Sequence, residues 1–330
     1  MGGNLMTKTK KRKLAIGLII GIPAAIIIIA IALIIKFGPM FGFWLVPPSA
    51  ESYGKTALET IQKNGIYASS DEWSKAYADA LNEIKTASNY EDTYAAIQKA
   101  LAAGGGKHSM LLSKSEASQT QQSYDEILPS VRMDGEIAVI KLPDFLGTAE
   151  AGKRYAAVVE EFMHSNKDKI KGVVLDLRDN TGGDMGSMAC AVSSLLPEGE
   201  LVYYHYRSYD IPVTLKNGVV SNAGTGGTSL YPEEKLNVPV AILTNDMTAS
   251  SGEALLLCFR GMDNVKTFGA PTAGYTSVNM LYNLYDGTQM YLTVAFDKAR
   301  TGEIFEETVI EPDVPTGSPL EDALAWLRNG

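Results

Sequence analysis

Cysteine and histidine are scarce in this chain of 330 residues, which has two cysteines and three histidines. Both cysteines, Cys190 and Cys258, lie in apolar segments typical of buried helices. There is no CxxC pair and no cluster of cysteine with histidine, so the sequence predicts no thiolate metal site and no cofactor. We expect two buried free thiols, although an extracellular location would also permit a disulfide.

Acidic residues are absent from residues 1–36, which carry six lysines and arginines. Within this segment, residues 14–35 hold no charge and are long enough to cross a bilayer as a helix. No signal-peptide cleavage site is evident before Lys36, which favours an uncleaved anchor over a removed signal peptide. The basic residues before the span predict a cytoplasmic N terminus and an extracellular remainder.

The remainder of the chain has the opposite charge. It holds 23 basic and 38 acidic residues, a net charge of −15. This balance argues against nucleic acid as a partner and would attract cationic partners. A solvated acidic surface without any such partner explains the same count.

The patterns divide the chain into five segments. They are a basic cytoplasmic tail (1–13), a transmembrane anchor (14–36), a linker (37–49), a helical module (50–107) and a core with covering loops (108–330). In the linker, the aromatic residues Phe41, Phe43 and Trp44 are predicted to lie near the lipid headgroups.

Strands and helices alternate between residues 135 and 270, which predicts an α/β core with a mostly parallel sheet. Two apolar runs around Asp286 and Gly287 predict a β-hairpin. The polar residues 113–130 are expected to form a loop or lid and the glycine-rich residues 214–230 a hairpin or loop. Both are expected to cover a groove between the helical module and the core.

A strand-to-helix turn is predicted in residues 238–253, with the sequence VPVAILTNDMTASSGE. The apolar run at its start indicates a buried strand, and a helix follows Gly252. Ser250 can therefore be a helix cap, because serine is favoured there. It can also be a nucleophile beside unpaired backbone N–H groups at the start of the helix.

A second turn of the same kind follows residues 172–178. It contains Gly182 and Gly183, whose backbone N–H groups can approach a substrate carbonyl and, with the N–H of Ser251, form an oxyanion hole. Asp176 and Arg178 are expected to be a buried structural pair that holds the two turns together. Five neighbours of these turns are candidate substrate-binding residues, namely Asn180, Thr181, Met185, Ala249 and Tyr275.

A serine nucleophile needs a base, and His108 is the candidate. It follows three glycines that leave an open turn, and imidazole has a suitable pKa. His164 lies at a polar helix end and His205 in an aromatic strand, where surface or structural roles account for them. We therefore expect a Ser250–His108 dyad.

Two motifs, D-L-R-x-N-x-G-G at 176–183 and T-A-S-S-G-E at 248–253, resemble those of the C-terminal-processing (tail-specific) proteases and the tricorn core. The resemblance implies a serine peptidase with a ClpP/crotonase-like α/β fold and a mixed β-sheet. It also implies Ser250 as the nucleophile, and Ser251 with one glycine of the 182–183 pair as oxyanion donors. These proteases use a lysine base and a PDZ domain. Tyr275 stands at the lysine position, and residues 109–134 are too few for a PDZ domain.

The anchor, the K-H-S turn and the T-A-G-Y loop are similar to those of membrane-tethered lantibiotic-resistance peptidases of the same superfamily. That resemblance implies a Ser–His dyad in Ser250 and His108. It also implies the cell membrane of a Gram-positive type of bacterium and cleavage of a nisin-like lantibiotic near its C terminus. Two other functions remain open, a tail-specific protease of surface proteins and a non-catalytic peptide-binding pseudoprotease.

Overall fold

A computed structural model describes the backbone of residues 8–38, 45–124 and 126–329, and the side chains of these residues except 8–20 and 120–124. The helices are α1 (Lys8–Phe37), α2 (Ala50–Asn64), α3 (Asp71–Ile84), α4 (Glu91–Gly105), α5 (Lys114–Tyr124), α6 (Ala149–Asn166), α7 (Met185–Ala191), α8 (Ser251–Cys258) and α9 (Pro319–Asn329).

The strands fall into two sheets. The first has the order β14 (Val314–Pro315), β10 (Val265–Gly269), β9 (Val240–Thr244), β4 (Gly172–Asp176), β3 (Ile137–Lys141) and β2 (Ser130–Asp134). The second has the order β1 (Met110–Leu112), β12 (Gln289–Ala299), β5 (Gly199–Tyr206), β6 (Asp210–Lys216), β7 (Val219–Ser221) and β8 (Gly227–Thr228), with β11 (Ser277–Asn283) and β13 (Ile304–Phe305) also paired to β12.

Helix α1 runs through the predicted anchor and contains Pro23. Among the residues whose side chains are described, no helix is long and apolar enough to cross a bilayer. The linker aromatics Phe41, Phe43 and Trp44 fall outside the described residues.

The helical module consists of α2, α3 and α4, which pack around Ile61, Trp73 and Leu101. Ser70 caps α3 by accepting the Trp73 N–H (3.0 Å). Gly104, near the end of α4, packs closely against α2 and α3. A β-carbon there would be only 2.5 Å from Ile61 Cγ2, so a larger residue would not fit. The apolar face of β12 completes this core, so the module is packed directly on the second sheet.

The first sheet confirms the predicted parallel α/β core. All its neighbouring strands are parallel except β2 and β3. Its strands β3, β4 and β9 are almost wholly buried, as expected for a sheet covered on both faces. Helix α9 covers one face, and the main core lies on the other.

The second sheet is antiparallel, and the predicted hairpin is its β11–β12 pair. One loop prediction was wrong, because residues 114–124 of the expected covering loop form α5. Ser113 and Glu116 explain the helix: the Ser113 N–H donates to Glu116 (2.8 Å), and the Glu116 N–H donates to the Ser113 hydroxyl (3.4 Å). This is a capping box, a helix start whose signal was present in the sequence.

Candidate active site

Ser250 lies in the turn between β9 and α8. It is the residue immediately before the first residue of the helix. Its φ of 52° lies in the left-handed region, where a residue with a β-carbon is strained by roughly 1–3 kcal/mol. A strained serine between a buried strand and a helix matches the geometry by which many hydrolases expose a nucleophile. The helix-cap and nucleophile interpretations therefore describe one arrangement.

Glu253 holds the Ser250 turn from inside the protein. Its buried carboxylate accepts hydrogen bonds from the backbone N–H groups of Ser250 (3.0 Å), Gly274 (2.8 Å) and Tyr275 (2.7 Å), and from the Thr272 hydroxyl. Burial raises the pKa of Glu253, and these hydrogen bonds lower it. The sequence analysis gave Glu253 no role, although its spacing from Ser250 is that of a capping box.

Gly182 and Gly183 face the serine turn in different ways. A β-carbon on Gly182 would lie 2.7 Å from Ser250 Cβ, so only glycine allows this approach. The Gly182 N–H donates to the Asn180 side chain (2.9 Å). In the described part of the chain, neither the Gly183 N–H nor the Ser251 N–H has an acceptor. The geometry therefore favours Gly183 over Gly182 as the second oxyanion donor.

The two turns are tied to each other by backbone and hydroxyl groups. The Ser251 hydroxyl donates to the Gly183 carbonyl (2.7 Å), and the Ala249 N–H donates to the Asn180 carbonyl (2.9 Å). These bonds bring the two available N–H groups, those of Gly183 and Ser251, to the same end of the parallel sheet. Ligand sites form at this end in sheets of this kind.

The expectation that Asp176 and Arg178 hold the two turns together was wrong. Arg178 donates to both oxygens of Asp176 (2.8 and 2.7 Å), so the pair closes on itself within one turn. Asp179 and Asn245 make the connection instead. The Asp179 N–H donates to the Asn245 side chain (3.0 Å), whose amide donates back to the Asp179 carboxylate (2.9 Å).

His108 is only 8% exposed and lies where the helical module meets the second sheet. Its Nδ1 is 2.9 Å from the Ser277 hydroxyl, and its ring packs edge-on against Tyr275 with centroids 5.2 Å apart. Burial, opposed by a hydrogen bond to the Ser277 backbone and aided by the charge of Lys107, lowers the pKa of His108 to about 4. The imidazole is therefore uncharged at neutral pH, the state that a general base requires.

Tyr275 links the two halves of the predicted dyad. Its ring contacts His108, and its N–H shares the Glu253 carboxylate with the Ser250 N–H. No direct hydrogen bond joins His108 to Ser250 among the described residues. Catalytic hydrogen bonds are often long in proteins without substrate and shorten when substrate binds.

The five candidate substrate-binding residues differ in accessibility. Thr181 is exposed, with its hydroxyl bonded to Asp144, and Tyr275 is half-buried under the Lys107 ammonium (4.8 Å from the ring centroid). The buried candidates are Asn180, Met185 and Ala249. The Asn180 side chain also donates to the Leu142 carbonyl (3.0 Å), so it supports the turn from below. Of the five, Thr181 and Tyr275 have side chains that a bound peptide can reach.

The remaining histidines and both cysteines lie apart from these turns. His164 is bonded to Glu234 (2.8 Å) and His205 to Asp210 (2.6 Å). Cys190 and Cys258 are buried free thiols, as expected. Among the described residues, Ser250 and His108 are thus linked indirectly, through Tyr275 and Glu253.

Asp297, on β12, is a buried acid that the sequence analysis missed. Neither of its carboxylate oxygens has a hydrogen-bond partner among the described residues. Burial and the nearby charge of Glu253 raise the pKa of Asp297 to about 8. Its side chain is therefore largely protonated at neutral pH.

Comparison with known sequences places this geometry among peptidases. The sequence pattern of peptidase family S41 matches residues 136–316. The chain is 35% identical over 307 residues to the Nisin-resistance protein of Lactococcus lactis subsp. lactis, covering 92% of this chain and 95% of that protein. It is 27% identical over 202 residues to the carboxy-terminal processing protease CtpA of Bacillus subtilis, covering 61% of this chain and 40% of that protease.

Two solved structures are similar over most of the chain. A lipoprotein from Streptococcus agalactiae superposes with a TM-score of 0.78 at 32% identity, covering 87% of this chain and 99% of that one. The photosystem II D1 C-terminal processing protease superposes with a TM-score of 0.55 at 14% identity, covering 83% and 94%. The second likeness is one of fold alone.

Proposed function

Since the chain belongs to peptidase family S41 and is a serine peptidase, we propose that Ser250 is its nucleophile, His108 its general base and a nisin-like lantibiotic its substrate. The observation that carries the proposal is the strained turn of Ser250, beside which the N–H groups of Ser251 and Gly183 have no acceptor in the part of the chain that the structure describes. The neutral imidazole of His108 supports it, because the ring packs against Tyr275, whose N–H shares the Glu253 carboxylate with the Ser250 N–H.

The proposed reaction follows from these groups. When substrate binds, His108 Nε2 takes the proton of the Ser250 hydroxyl as Oγ attacks the scissile carbonyl carbon. The carbonyl oxygen becomes an oxyanion, to which the Ser251 and Gly183 N–H groups donate; one such donor typically lowers the barrier by about 3 kcal/mol. The imidazolium then protonates the departing amine, leaving an acyl group on Ser250. His108 deprotonates a water molecule that hydrolyses this ester and restores the serine.

A nisin-like substrate is supported by similarity and by charge. The Lactococcus protein to which the chain is 35% identical is a nisin-resistance protein. Residues 37–330 carry a net charge of −15, which favours the approach of a cationic peptide. We propose that the chain cuts such a lantibiotic near its C terminus and thereby confers resistance.

A groove along β11 is the proposed binding surface for the ring-bearing part of this peptide. It lies between the helical module and the second sheet. Its lining includes the aromatic and apolar side chains of Tyr206, Tyr209, Met280 and Tyr282, with the cationic Lys63 and Arg207 beside them. Strand β11 starts at Ser277, beside His108, so Met280 lies about 10 Å along the strand from the base. Apolar and aromatic side chains suit a thioether-ringed peptide with few charges in its rings.

We further propose that α1 anchors the chain in the cell membrane with its N terminus in the cytoplasm and the peptidase outside. The support is the uncharged sequence of residues 14–35 and the cluster of basic residues that precedes it. Cationic lantibiotics reach the cell from outside, so an anchored peptidase would meet them at the membrane surface.

The proposal is tested by incubating the full chain, purified in detergent, with nisin and analysing the products by mass spectrometry. We expect cleavage near the nisin C terminus, no cleavage by the S250A variant and a loss of about 10³-fold or more in H108A. Full cleavage by S250A would refute the nucleophile, and unchanged cleavage by H108A would refute the base. A matched control is Ser74→Ala, which removes an exposed serine hydroxyl in α3 that donates to the Ser70 carbonyl (3.1 Å) and should leave activity unchanged.

The similarity to the CtpA protease motivates a second substrate class, linear protein tails. A linear peptide with an apolar C terminus, incubated beside nisin, separates the two. Preferred cleavage of the linear peptide would favour tail processing. Nisin resistance undiminished in cells carrying S250A would instead favour a peptide-binding pseudoprotease.

A further inference from the structure

We propose that Ser277 and Glu307 are positioning residues that orient the His108 imidazole through a chain of hydrogen bonds. The proposal rests on the function proposed above, because it gives His108 its base role. Ser277 occupies the position beside the histidine that the aspartate occupies in a serine–histidine–aspartate triad. Glu307, the next group in the hydrogen-bond chain, supplies the negative charge.

The chain is continuous in the structure. His108 Nδ1 is 2.9 Å from Ser277 Oγ, and Ser277 Oγ donates to Glu307 Oε1 at 3.3 Å. Ser277 is buried at the start of β11, and Glu307 is half-buried in the segment after β13. The three residues come from separate parts of the sequence and converge at one side of the imidazole ring.

The direction of these bonds fixes the tautomer of His108. A serine hydroxyl has one hydrogen, and an ionised carboxylate can only accept. If Ser277 donates to Glu307, its oxygen must accept from Nδ1–H of His108. The proton then lies on Nδ1, and Nε2 carries the lone pair that is needed to deprotonate Ser250.

Glu307 is itself held for this contact. Its φ is 53°, which strains a residue with a β-carbon. A β-carbon on Gly106 would lie 2.9 Å from Glu307 Oε2, so the glycine turn before His108 makes room for the carboxylate. Burial raises the pKa of Glu307 above its usual value. The backbone N–H of His108, the Ser277 hydroxyl and the positive charge of Lys107 partly offset this rise.

The charges around the imidazole define what Glu307 contributes. Lys107 disfavours the imidazolium, whereas the Glu307 carboxylate is the acid bonded to its hydrogen-bond partner. Tyr275 packs against the ring, and burial together with the nearby Glu307 charge raises the pKa of Tyr67, which therefore stays uncharged. During the reaction the imidazole becomes positively charged, so Glu307 should stabilise the transition state more than the resting enzyme.

The test measures kcat and KM for nisin cleavage by the full chain from about pH 3 to pH 9, a range that extends below the pKa of His108. We expect Ser277→Ala and Glu307→Gln to lower kcat about 10- to 100-fold with KM within about twofold. Glu307→Gln should also move the acid limb of the kcat profile to lower pH, because loss of a nearby negative charge disfavours the imidazolium. Ser277→Thr, which keeps the hydroxyl, should recover most of kcat.

One distant hydroxyl and one neighbouring acid serve as matched controls. Thr60→Val removes a half-buried hydroxyl that donates to the Thr56 carbonyl (2.8 Å) within α2 and does not contact His108. Glu306→Gln removes an exposed charge beside Glu307. Both should keep kcat and the acid limb within about twofold of the parent chain.

If Ser277→Ala and Glu307→Gln keep the parent kcat and acid limb, the positioning role is refuted. This holds even when S250A is inactive, a result that would support the Ser250–His108 dyad. Cleavage by S250A would refute the dyad itself, so the two failures are distinct. Should Ser277→Ala not fold, judged by circular dichroism, the isosteric Glu307→Gln decides the question by the same two readouts.

Discussion

Ser250 is held by the parallel sheet and by the buried Glu253, whereas His108 is held where the helical module meets the antiparallel sheet. The serine turn has backbone bonds to the neighbouring glycine turn and to Glu253. The histidine ring has one side-chain hydrogen bond, to Ser277, and one ring contact, to Tyr275. We call these two regions the serine half and the histidine half.

This difference between the two halves suggests how a peptidase can change its general base while it keeps its serine nucleophile. The serine half contains both N–H groups that are proposed to bind the oxyanion, so the proposed transition-state donors lie at one end of one sheet. The base needs only to reach Ser250 from outside this sheet. A lysine at the position of Tyr275 would lie in the loop that contacts His108, so the resemblance to lysine-using proteases is compatible with the proposed histidine base.

The largest effect should come from breaking the serine half at Glu253. In Glu253→Gln an NH2 group replaces one carboxylate oxygen, and each of those oxygens accepts a backbone N–H, from Gly274 on one side and from Ser250 and Tyr275 on the other. The NH2 group of the glutamine then faces a backbone N–H inside the protein. Each buried donor left without an acceptor costs about 1–3 kcal/mol. We expect nisin cleavage to fall about 10³-fold and the free energy of unfolding to fall by roughly 2–4 kcal/mol.

Chemical denaturation and cleavage rates check this prediction. Glu303→Gln is the control, since Glu303 is an exposed acid paired with Arg260 (2.8 Å), and it should change stability by less than about 1 kcal/mol. Parent-like stability and cleavage in Glu253→Gln would mean that Glu253 is not what holds Ser250.

A matched pair of glycine substitutions compares the halves directly. In Gly182→Ala the new β-carbon would lie 2.7 Å from Ser250 Cβ, and the φ of 112° is unfavourable for alanine. Gly104 lies four residues before His108. In Gly104→Ala the new β-carbon would lie 2.5 Å from Ile61 Cγ2. We expect about a 100-fold loss of kcat in the serine half and about a tenfold loss in the histidine half, because the module can shift as a unit.

Hydrogen exchange locates the disturbance in each variant. Gly182→Ala should increase exchange in the 248–253 turn, and Gly104→Ala should increase it in α2 and α3 while leaving that turn unchanged. Gly135→Ala is the control, since its φ of 63° is strained but a β-carbon there would contact nothing. Equal exchange at 248–253 in the two test variants would show that the halves are one mechanical unit.

The serine half was largely predictable because its chemistry lies in two short stretches of sequence. Strand-to-helix turns of neighbouring parallel strands meet at one sheet end, so Ser250, Ser251 and the glycine pair could be brought together from sequence alone. The choice between Gly182 and Gly183 could not be made, because it depends on the Asn180 side chain accepting one N–H.

The histidine half was predictable only in His108 itself. Ser277 lies 169 residues from His108, and Glu307 lies 30 residues beyond Ser277. Neither forms a local pattern with its partner, so the contact follows from how the β11–β12 hairpin packs against the module. Asp297 was missed for a related reason, since a lone acid in a strand gives no sign that its sheet face is buried.

The smallest and most selective effect concerns pH, because His108 and Asp297 are buried titratable groups of opposite sign. The pKa of His108 is lowered to about 4, so stability is lost as pH falls from about 6.5 towards 4. The pKa of Asp297 is raised to about 8, so stability is lost as pH rises from about 4 to 8. Each contributes about 1.4 kcal/mol per pH unit, and they offset one another between about pH 4 and 6.5.

Replacing the Asp297 carboxyl with an amide, in Asp297→Asn, isolates one of these two contributions. The variant should gain roughly 2 kcal/mol of stability over the parent as pH rises from about 6.5 to 8, measured by denaturation at several pH values. Nisin cleavage at neutral pH should change less than about twofold, because the amide replaces an acid that is already largely protonated and has no hydrogen bond to Ser250 or His108. A stability difference that does not vary with pH would mean that Asp297 is ionised in the folded protein.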